Sequence, residues 1–312
     1  LNDADRRVTS VVMMVRPDGF DFNPETAASN AFMHRTTIDA ATMRVDVRRA
    51  FDDVVDALTT AGVEVLLFDD TDPPNPDAVF PNNWLTTHDD GRLVLYPMAA
   101  VSRRAERRHD LIDALERVHG FRIRERIDLS GIEVAGEALE GTGSLVLDRA
   151  TRCAYMVRSA RSTPAAAAAF SEAMDYAIVA FDAHDANGAP IYHTNVMMCI
   201  GTSFAIVTMD AIREAEDRRT IARRLDDAGL EIIAIDVEQM ASFAGNALCL
   251  RGGDGSAVIA MSTRAAGSLQ STQRSAIELH ARLVTADVSV IEHVAGGGLR
   301  CMLAEVFLPR DG

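Results

Sequence analysis

The chain has 312 residues, 48% of them hydrophobic, which is enough to bury a large core, and it carries a formal net charge of −15. Every one of its 31 basic residues is arginine, so no lysine is present to form a Schiff base or to serve a phosphate-binding loop. A surface this acidic repels phosphate backbones and anionic lipid heads, which sets nucleic acid and membranes aside as partners.

The N-terminal residues 1–7 lack the basic-then-apolar order of a secretory signal, and the chain is nowhere apolar over the roughly 18 residues that a membrane span takes. A cytoplasmic protein is expected. Residues 11–15 read as a strand, 38–60 carry helical spacing and 63–68 read as a second strand. The polar, punctuated stretch from Arg16 to Phe32 is expected to be a long loop, and loops of that length are often functional. The turn-rich connector Asp72-Pro73-Pro74-Asn75-Pro76-Asp77 leads to Phe80-Pro81-Asn82-Asn83 and a strand at 93–96. A helix at 102–119, with Arg103 and Arg104 facing solvent at its start, and a strand at 121–127 complete the unit.

The pattern then recurs. Glu140-Gly141-Thr142-Gly143 leads to a strand at 153–157, a helix after Pro164 and a strand at 177–181. His193-Thr194-Asn195 leads to a strand at 204–209, a helix at 210–228 and a strand at 231–235. Gly245-Asn246 leads to a strand at 257–261, a helix ending near 283 and a strand at 288–291. The turn Gly296-Gly297-Gly298-Leu299-Arg300-Cys301 opens the pattern once more, before a strand at 302–308. Taken by itself, that stretch leaves Cys301 equally a nucleophile or a small buried hydrophobe. Cys153, Cys199 and Cys249 fall inside strands and are expected in the core. The four cysteines form no C-x-x-C pair, so neither zinc nor a disulfide framework is indicated. The remaining histidines, His34, His88, His109, His119, His184, His280 and His293, attach to no motif and are expected mostly on the surface or in loops.

The heads of these units are evenly spaced: 57 positions separate Asn83 from Glu140, 53 separate Glu140 from His193, 53 separate His193 from Asn246 and 55 separate Asn246 from Cys301. A period of that size implies repeated supersecondary units, and five of them with a last strand left over to complete the first imply a closed ring. Equivalent positions in a ring face one axis. A cysteine, a histidine and a carboxylate are therefore expected in one pocket, which is what nucleophilic catalysis requires.

Phe80-Pro81-Asn82-Asn83, Glu140-Gly141-Thr142-Gly143, Ser159-Ala160-Arg161-Ser162, His193-Thr194-Asn195 and Gly297-Gly298-Leu299-Arg300-Cys301-Met302 stand in the order of five family motifs. They resemble F-x-x-D, E-G-G-D, S-x-R-T, H-x-D and the glycine-rich R-C-M of the amidinotransferase and arginine deiminase superfamily, the penteins. The resemblance runs through nearly the whole chain. It implies an α/β fold, a five-bladed pseudo-symmetric propeller of ββαβ-type repeats, forming a single catalytic domain over residues 1–312 whose C-terminal strand completes the first repeat. It implies Cys301 as nucleophile, His193 as general acid and base, Glu140 as the carboxylate that holds the substrate's terminal nitrogens and Arg161 as a clamp for the substrate carboxylate. It implies neither a metal nor an organic cofactor, and a small amino acid as the substrate.

A carbon bonded to three heteroatoms is a poor electrophile, so it needs a placed thiolate and a carboxylate that orients the planar group. Where the family has aspartates, this chain has Asn83, Gly143 and Asn195. Asparagine offers a donor as well as an acceptor, which suits the neutral ureido group of citrulline, with Asn83 and Asn195 as substrate-binding residues. Arginine deimination, dimethylarginine hydrolysis and amidino transfer are the alternatives within the superfamily. Outside that chemistry stand a non-catalytic binding module of the same fold and a cysteine protease using Asn195 or Asn246 as orienter.

Overall fold

The computed structural model describes residues 3–71 and 73–310. Leu1, Asn2, Asp72, Asp311 and Gly312 lie outside them, so the N-terminal segment and the proline-rich connector are each described only in part. The strands are β1 (Val11–Val15), β2 (Glu64–Phe68), β3 (Leu85–Thr87), β4 (Arg92–Leu95), β5 (Glu125–Asp128), β6 (Leu145–Asp148), β7 (Cys153–Val157) and β8 (Ala177–Phe181). They continue with β9 (Met198–Ile200), β10 (Phe204–Val207), β11 (Glu231–Ala234), β12 (Leu248–Arg251), β13 (Ala257–Ser262), β14 (Arg282–Ala286) and β15 (Ala304–Glu305). They form five three-stranded sheets, β15-β1-β2, β3-β4-β5, β6-β7-β8, β9-β10-β11 and β12-β13-β14.

One rule builds all five. The middle strand pairs antiparallel with a short strand and parallel with a strand reached through helical turns. In the third sheet Met156 stands opposite Leu145 on one side and Ala180 on the other. A parallel partner requires a crossover, and the crossover helix covers the sheet. The helix Ala40–Thr60 shows how the sequence dictates this. Asp39 caps its first turn by accepting from the N–H groups of Ala41 and Thr42, and Met43, Val47, Ala50, Phe51, Val54 and Leu58 recur at helical spacing on its buried side. That side packs on β2 and on β14 of the neighbouring sheet.

The short strands lie against one another from sheet to sheet: β6 meets β9, β9 meets β12, and β15 meets β3. The hydrophobic clusters likewise draw on two sheets each. Met13 and Leu66 pack with Leu93 and Leu95, while Val94 and Tyr96 pack with Leu145, Met156 and Phe170. Single turns precede the short strands, at Pro81–Asn83, Gly141–Ser144, Thr194–Val196 and Leu299–Met302. The Gly141–Ser144 turn touches the Pro81–Asn83 and Thr194–Val196 turns, and Pro81–Asn83 touches Leu299–Met302. This brings together residues more than two hundred positions apart.

Several elements differ from the sequence expectation. The helix expected at 102–119 is broken into a short 3₁₀ segment, Val101–Glu106, and a helix, His109–Arg117, and the strand expected at 121–127 is confined to Glu125–Asp128. The strand expected at 288–291 is part of the helix Ser289–Ala295, and the strand of that unit is β14 instead. Val288, Ile291, Val294 and Ala295 are all buried, a helical spacing hidden in a short apolar run. Of the strand expected at 302–308, only Ala304 and Glu305 pair with β1. Within the loop from Arg16 to Phe32, Pro24–Ala27 forms one helical turn capped by Asn23.

Phe170 is fully buried between the rings of Tyr96 and Tyr176, at centroid distances of 5.9 and 5.5 Å. Phe170→Ala is expected to cost about 3–5 kcal/mol in a urea titration, as a cavity in a closed-packed cluster does, while leaving the residues around Cys301 in place.

Candidate functional site

Cys301 lies in the turn Leu299–Met302, directly after the helix Ser289–Ala295 and the three glycines, and is 4% exposed. His193 and Glu140 immediately precede the head turns of two other sheets and are 2% and 0% exposed. His193 Nε2 meets Glu140 Oε2 at 2.9 Å. With Nε2–H donated to the carboxylate, Nδ1 is the ring nitrogen that can accept a proton.

The structure brings together all six residues expected at the site: Cys301, His193, Glu140, Asn83, Asn195 and Arg161. Asn195 Nδ2 points at Cys301 Sγ from 3.6 Å, and Arg161 Nη1 is 3.5 Å from Glu140 Oε2. Arg161 also donates to the Thr26 carbonyl at 2.7 Å and to Ser29 Oγ at 2.9 Å, and its guanidinium lies 5.0 Å from the Tyr192 ring centroid.

Sequence reasoning missed Arg103, which it placed in solvent. The side chain is buried: it pairs with both oxygens of Glu106 at 2.8 and 2.7 Å, donates to Asn83 Oδ1 at 2.9 Å and comes within 3.6 Å of Glu140 Oε2. The signal available was the i,i+3 spacing of Arg103 and Glu106, which lets two opposite charges enter the interior as a pair. Because arginine only donates, its bond to Asn83 fixes the amide orientation, with Oδ1 toward Arg103 and Nδ2 toward Gly143 and His193. A Cβ on Gly143 would lie 2.5 Å from Asn83 Nδ2 and 2.7 Å from His193 Nδ1, so the absence of a side chain there makes room for both groups.

His88 lies in a loop, between β3 and β4, as expected, but not at the surface. It is buried, with Nε2 3.0 Å from Thr86 Oγ1, and it belongs to the core rather than the surface.

The stretch from Arg16 to Phe32 lies over the site. Asn30 Nδ2 donates to the carbonyls of Ala295 and Gly296, Asn23 Nδ2 donates to Asp77, and Glu25 accepts from the N–H groups of Val101 and Ser102. A cavity of about 500 Å³ lies beside it, lined by Ser29, Asn30, Arg158, Arg161, Pro190 and Tyr192 among others. Among the described residues no group of three or more histidines, cysteines and carboxylates is arranged to hold a metal ion, and no helix is long and apolar enough to cross a membrane.

The charges have a definite sense. Burial by itself would raise the Glu140 carboxyl, but Arg161, the bond from His193 and Arg103 outweigh it and hold the group well below the usual carboxylate range. Burial pushes His193 down to about 4, against the opposing pull of Glu140. The pair at neutral pH is thus a carboxylate and a neutral imidazole, the form of His193 that can take a proton.

A family model for N,N dimethylarginine dimethylhydrolase, eukaryotic, matches residues 16–308. The chain belongs to this family, and with it to the guanidino-modifying pentein superfamily. No curated protein sequence gives a match. Among solved structures, the N-terminal domain of ArgZ, an arginine dihydrolase from the ornithine–ammonia cycle in cyanobacteria, bound to substrate, aligns over 95% of this chain and 97% of that one at 18% identity with a TM-score of 0.72. Against ArgZ in its apo structure the match covers 96% of this chain and 41% of that one. This chain therefore spans about two-fifths of that longer protein. DDAH from Pseudomonas aeruginosa, a cysteine-to-serine mutant complexed with citrulline, aligns over 96% and 99% of the two chains at 15% identity with a TM-score of 0.66. At such identities the likeness is one of fold.

His88 and His193 both stay neutral in the fold, their values pushed below the ordinary 6.5 chiefly by burial. As pH falls through 6.5 the unfolded chain therefore takes up protons that the folded chain refuses, and stability declines. The contribution of these two histidines to the urea midpoint is expected to fall from pH 7 to pH 5, against the opposite contribution of the buried carboxyls Glu106 and Glu292, whose values burial raises. His88→Gln, which lies outside the site, should flatten that slope; an unchanged slope would mean that His88 is free to protonate in the folded chain.

Proposed function

We propose that the chain is a cysteine-dependent hydrolase that converts citrulline to ornithine, ammonia and carbon dioxide, and that its five sheets are the blades of one closed α/β propeller forming a single catalytic domain. The order in which the short strands and head turns touch supports the ring. The substrate rests on one observation: Asn83 Nδ2 and Asn195 Oδ1 are buried with no hydrogen-bond partner. One is a donor and the other an acceptor, and both lie in the turns that precede the short strands. A ureido carbonyl takes the donor and a ureido N–H takes the acceptor, and an aspartate at position 83 could not supply the donor.

Charge supports the same reading. Glu140 is shared by His193, Arg161 and Arg103, Glu106 is bidentate on Arg103, and Asp77 accepts from Asn23. A guanidinium would bring another positive charge among acids that are already paired, at a penalty on the order of several kcal/mol per buried ion, whereas a ureido group is neutral. A guanidino substrate is the second reading. Its support is the family's dimethylarginine description and the arginine dihydrolase activity of ArgZ. Amidino transfer would require only that an amine take the place of water.

In the proposed reaction His193 Nδ1 takes the Cys301 thiol proton as sulfur adds to the ureido carbon, with Asn83 Nδ2 donating to the oxyanion. Collapse of the adduct breaks the bond from that carbon to the substrate's side-chain nitrogen, and His193 returns the proton to the departing amine, giving ornithine and a carbamoylated Cys301. The same imidazole then deprotonates water, which attacks the thiocarbamate. The C–S bond breaks, the thiol is restored, and the carbamate released decomposes to ammonia and carbon dioxide. Arg161 is assigned to the substrate's α-carboxylate, with the buried Arg103 beside it.

The purified protein should be incubated separately with citrulline, arginine, agmatine and dimethylarginine while ornithine, citrulline and ammonia are assayed. Citrulline is expected to be consumed fastest, and Cys301→Ser should remove all turnover. Brisk turnover of arginine with none of citrulline would sink the ureido reading and leave the nucleophile in place. Arg161→Ala should raise KM for citrulline at least tenfold and change it far less for the decarboxylated analogue, N-carbamoyl-1,4-diaminobutane, because an arginine fork recognises a carboxylate. Equal losses on both substrates would make Arg161 a structural residue.

A further inference from the structure

Asn246, the head of the fourth repeat, is 1% exposed and uses its amide on the nucleophile and the turn that bears it. Nδ2 donates to Cys301 Sγ at 3.3 Å and to the Asn195 carbonyl at 3.0 Å, and Oδ1 accepts from the N–H of Arg300 at 3.2 Å. Its backbone is held by a bond from its own N–H to the Phe243 carbonyl at 2.9 Å. The approach to the turn depends on Gly298, where a Cβ would stand 2.5 Å from Asn246 Oδ1 and 3.0 Å from the Phe243 ring. A residue that served only to tie down the turn would need Oδ1 alone, yet the other half of the amide faces the sulfur.

We propose that Asn246 is a positioning residue that holds the Cys301 sulfur in the attacking orientation and favours its thiolate over its thiol. The proposal rests on Cys301 being the nucleophile. A hydrogen bond donated to sulfur stabilises the charged form, because the thiolate accepts far better than the thiol. Asn195 Nδ2, at 3.6 Å, is the longer of the two amide contacts. The ionisable groups around the sulfur are His193, Glu140 and Arg161 from the neighbouring heads, Tyr192, whose hydroxyl donates to the Gly296 carbonyl at 2.6 Å, and Arg300, which pairs with Glu305 at 3.0 Å. Substitution at position 246 leaves all of them in place.

The test is the rate of alkylation by iodoacetamide as a function of pH, with the labelled residue identified by mass spectrometry and Cys301→Ser as the blank. Asn246→Leu, close in volume and unable to donate, is expected to displace the curve to higher pH by about one unit, so that labelling at neutral pH slows about tenfold. Asn246→Ala leaves space for a water that can donate in place of the amide and should show a smaller displacement. Superimposable curves for wild type and both variants, with citrulline turnover reduced, would overturn the proposal and make Asn246 a packing residue. If Asn246→Leu does not fold, the alanine variant decides: a displaced curve supports the proposal and a coincident one overturns it. A wild type unlabelled at Cys301 at every pH is a different result, because it removes the nucleophile itself.

Discussion

Glu140 accepts from His193 at 2.9 Å and stands 3.5 Å from Arg161 and 3.6 Å from Arg103, with all four side chains inside the protein. A carboxylate so placed is tolerable only because its charge is answered, and each cation that answers it is held there in turn. Arg103 is gripped by Glu106, and Arg161 by the backbone of Thr26 and the hydroxyl of Ser29. The cluster therefore ties together two head turns, the segment Val101–Glu106 and the covering stretch around Pro24–Ala27. Removing one member would leave the others as unpaired buried charges, so the group stands or falls as a unit. His193 stays neutral in this setting: the loss of solvent, helped by the nearby arginines, outweighs a carboxylate at hydrogen-bond distance.

The covering stretch makes the same arrangement a closed one. Cys301 is nearly sealed from solvent, and the bonds that keep it so run from Asn30 to the carbonyls just before the glycine turn and from Arg161 to Thr26 and Ser29. Arg161 is thus both a latch for the cover and a candidate contact for substrate. A carboxylate placed at that guanidinium would have to compete with the two oxygens that now accept its protons. A pocket closed to water strengthens every charge interaction inside it.

Much of this was legible in the sequence because symmetry wrote it several times. The recurrence of Asn83, Glu140, His193, Asn246 and Cys301 at near-equal spacing foretold that they would meet, and they do so through turns that touch one another. What stayed hidden had no repeat to announce it. Arg103 looked like an exposed helix-start arginine, since its i,i+3 spacing from Glu106 is shared by many surface pairs and does not by itself say that the two enter the core together. The run from Val288 to Ile291 is too short for its period to separate strand from helix, and burial on two sides made it apolar in either case. The loop over the site could be recognised as long and polar, but its destination was set by contacts more than a hundred positions away, at Arg161 and at Ala295.

The three departures from the family's acidic motifs form one physical change. Gly143 leaves space into which the Asn83 amide and the His193 ring project, so an aspartate restored at 143 would need both to move. Arg103 takes the oxygen of Asn83 and thereby points the amide nitrogen into that space, which makes position 83 a donor to the pocket. Asn195 spends its nitrogen on the Cys301 sulfur and keeps its oxygen free, which makes position 195 an acceptor. Where the family's motifs carry three acids, these positions carry one oriented donor, one oriented acceptor and a glycine whose space is taken up by the neighbouring amide and imidazole, and this is the arrangement on which the proposal of a neutral substrate rests. The Glu140–His193 pair stands intact beside these changes.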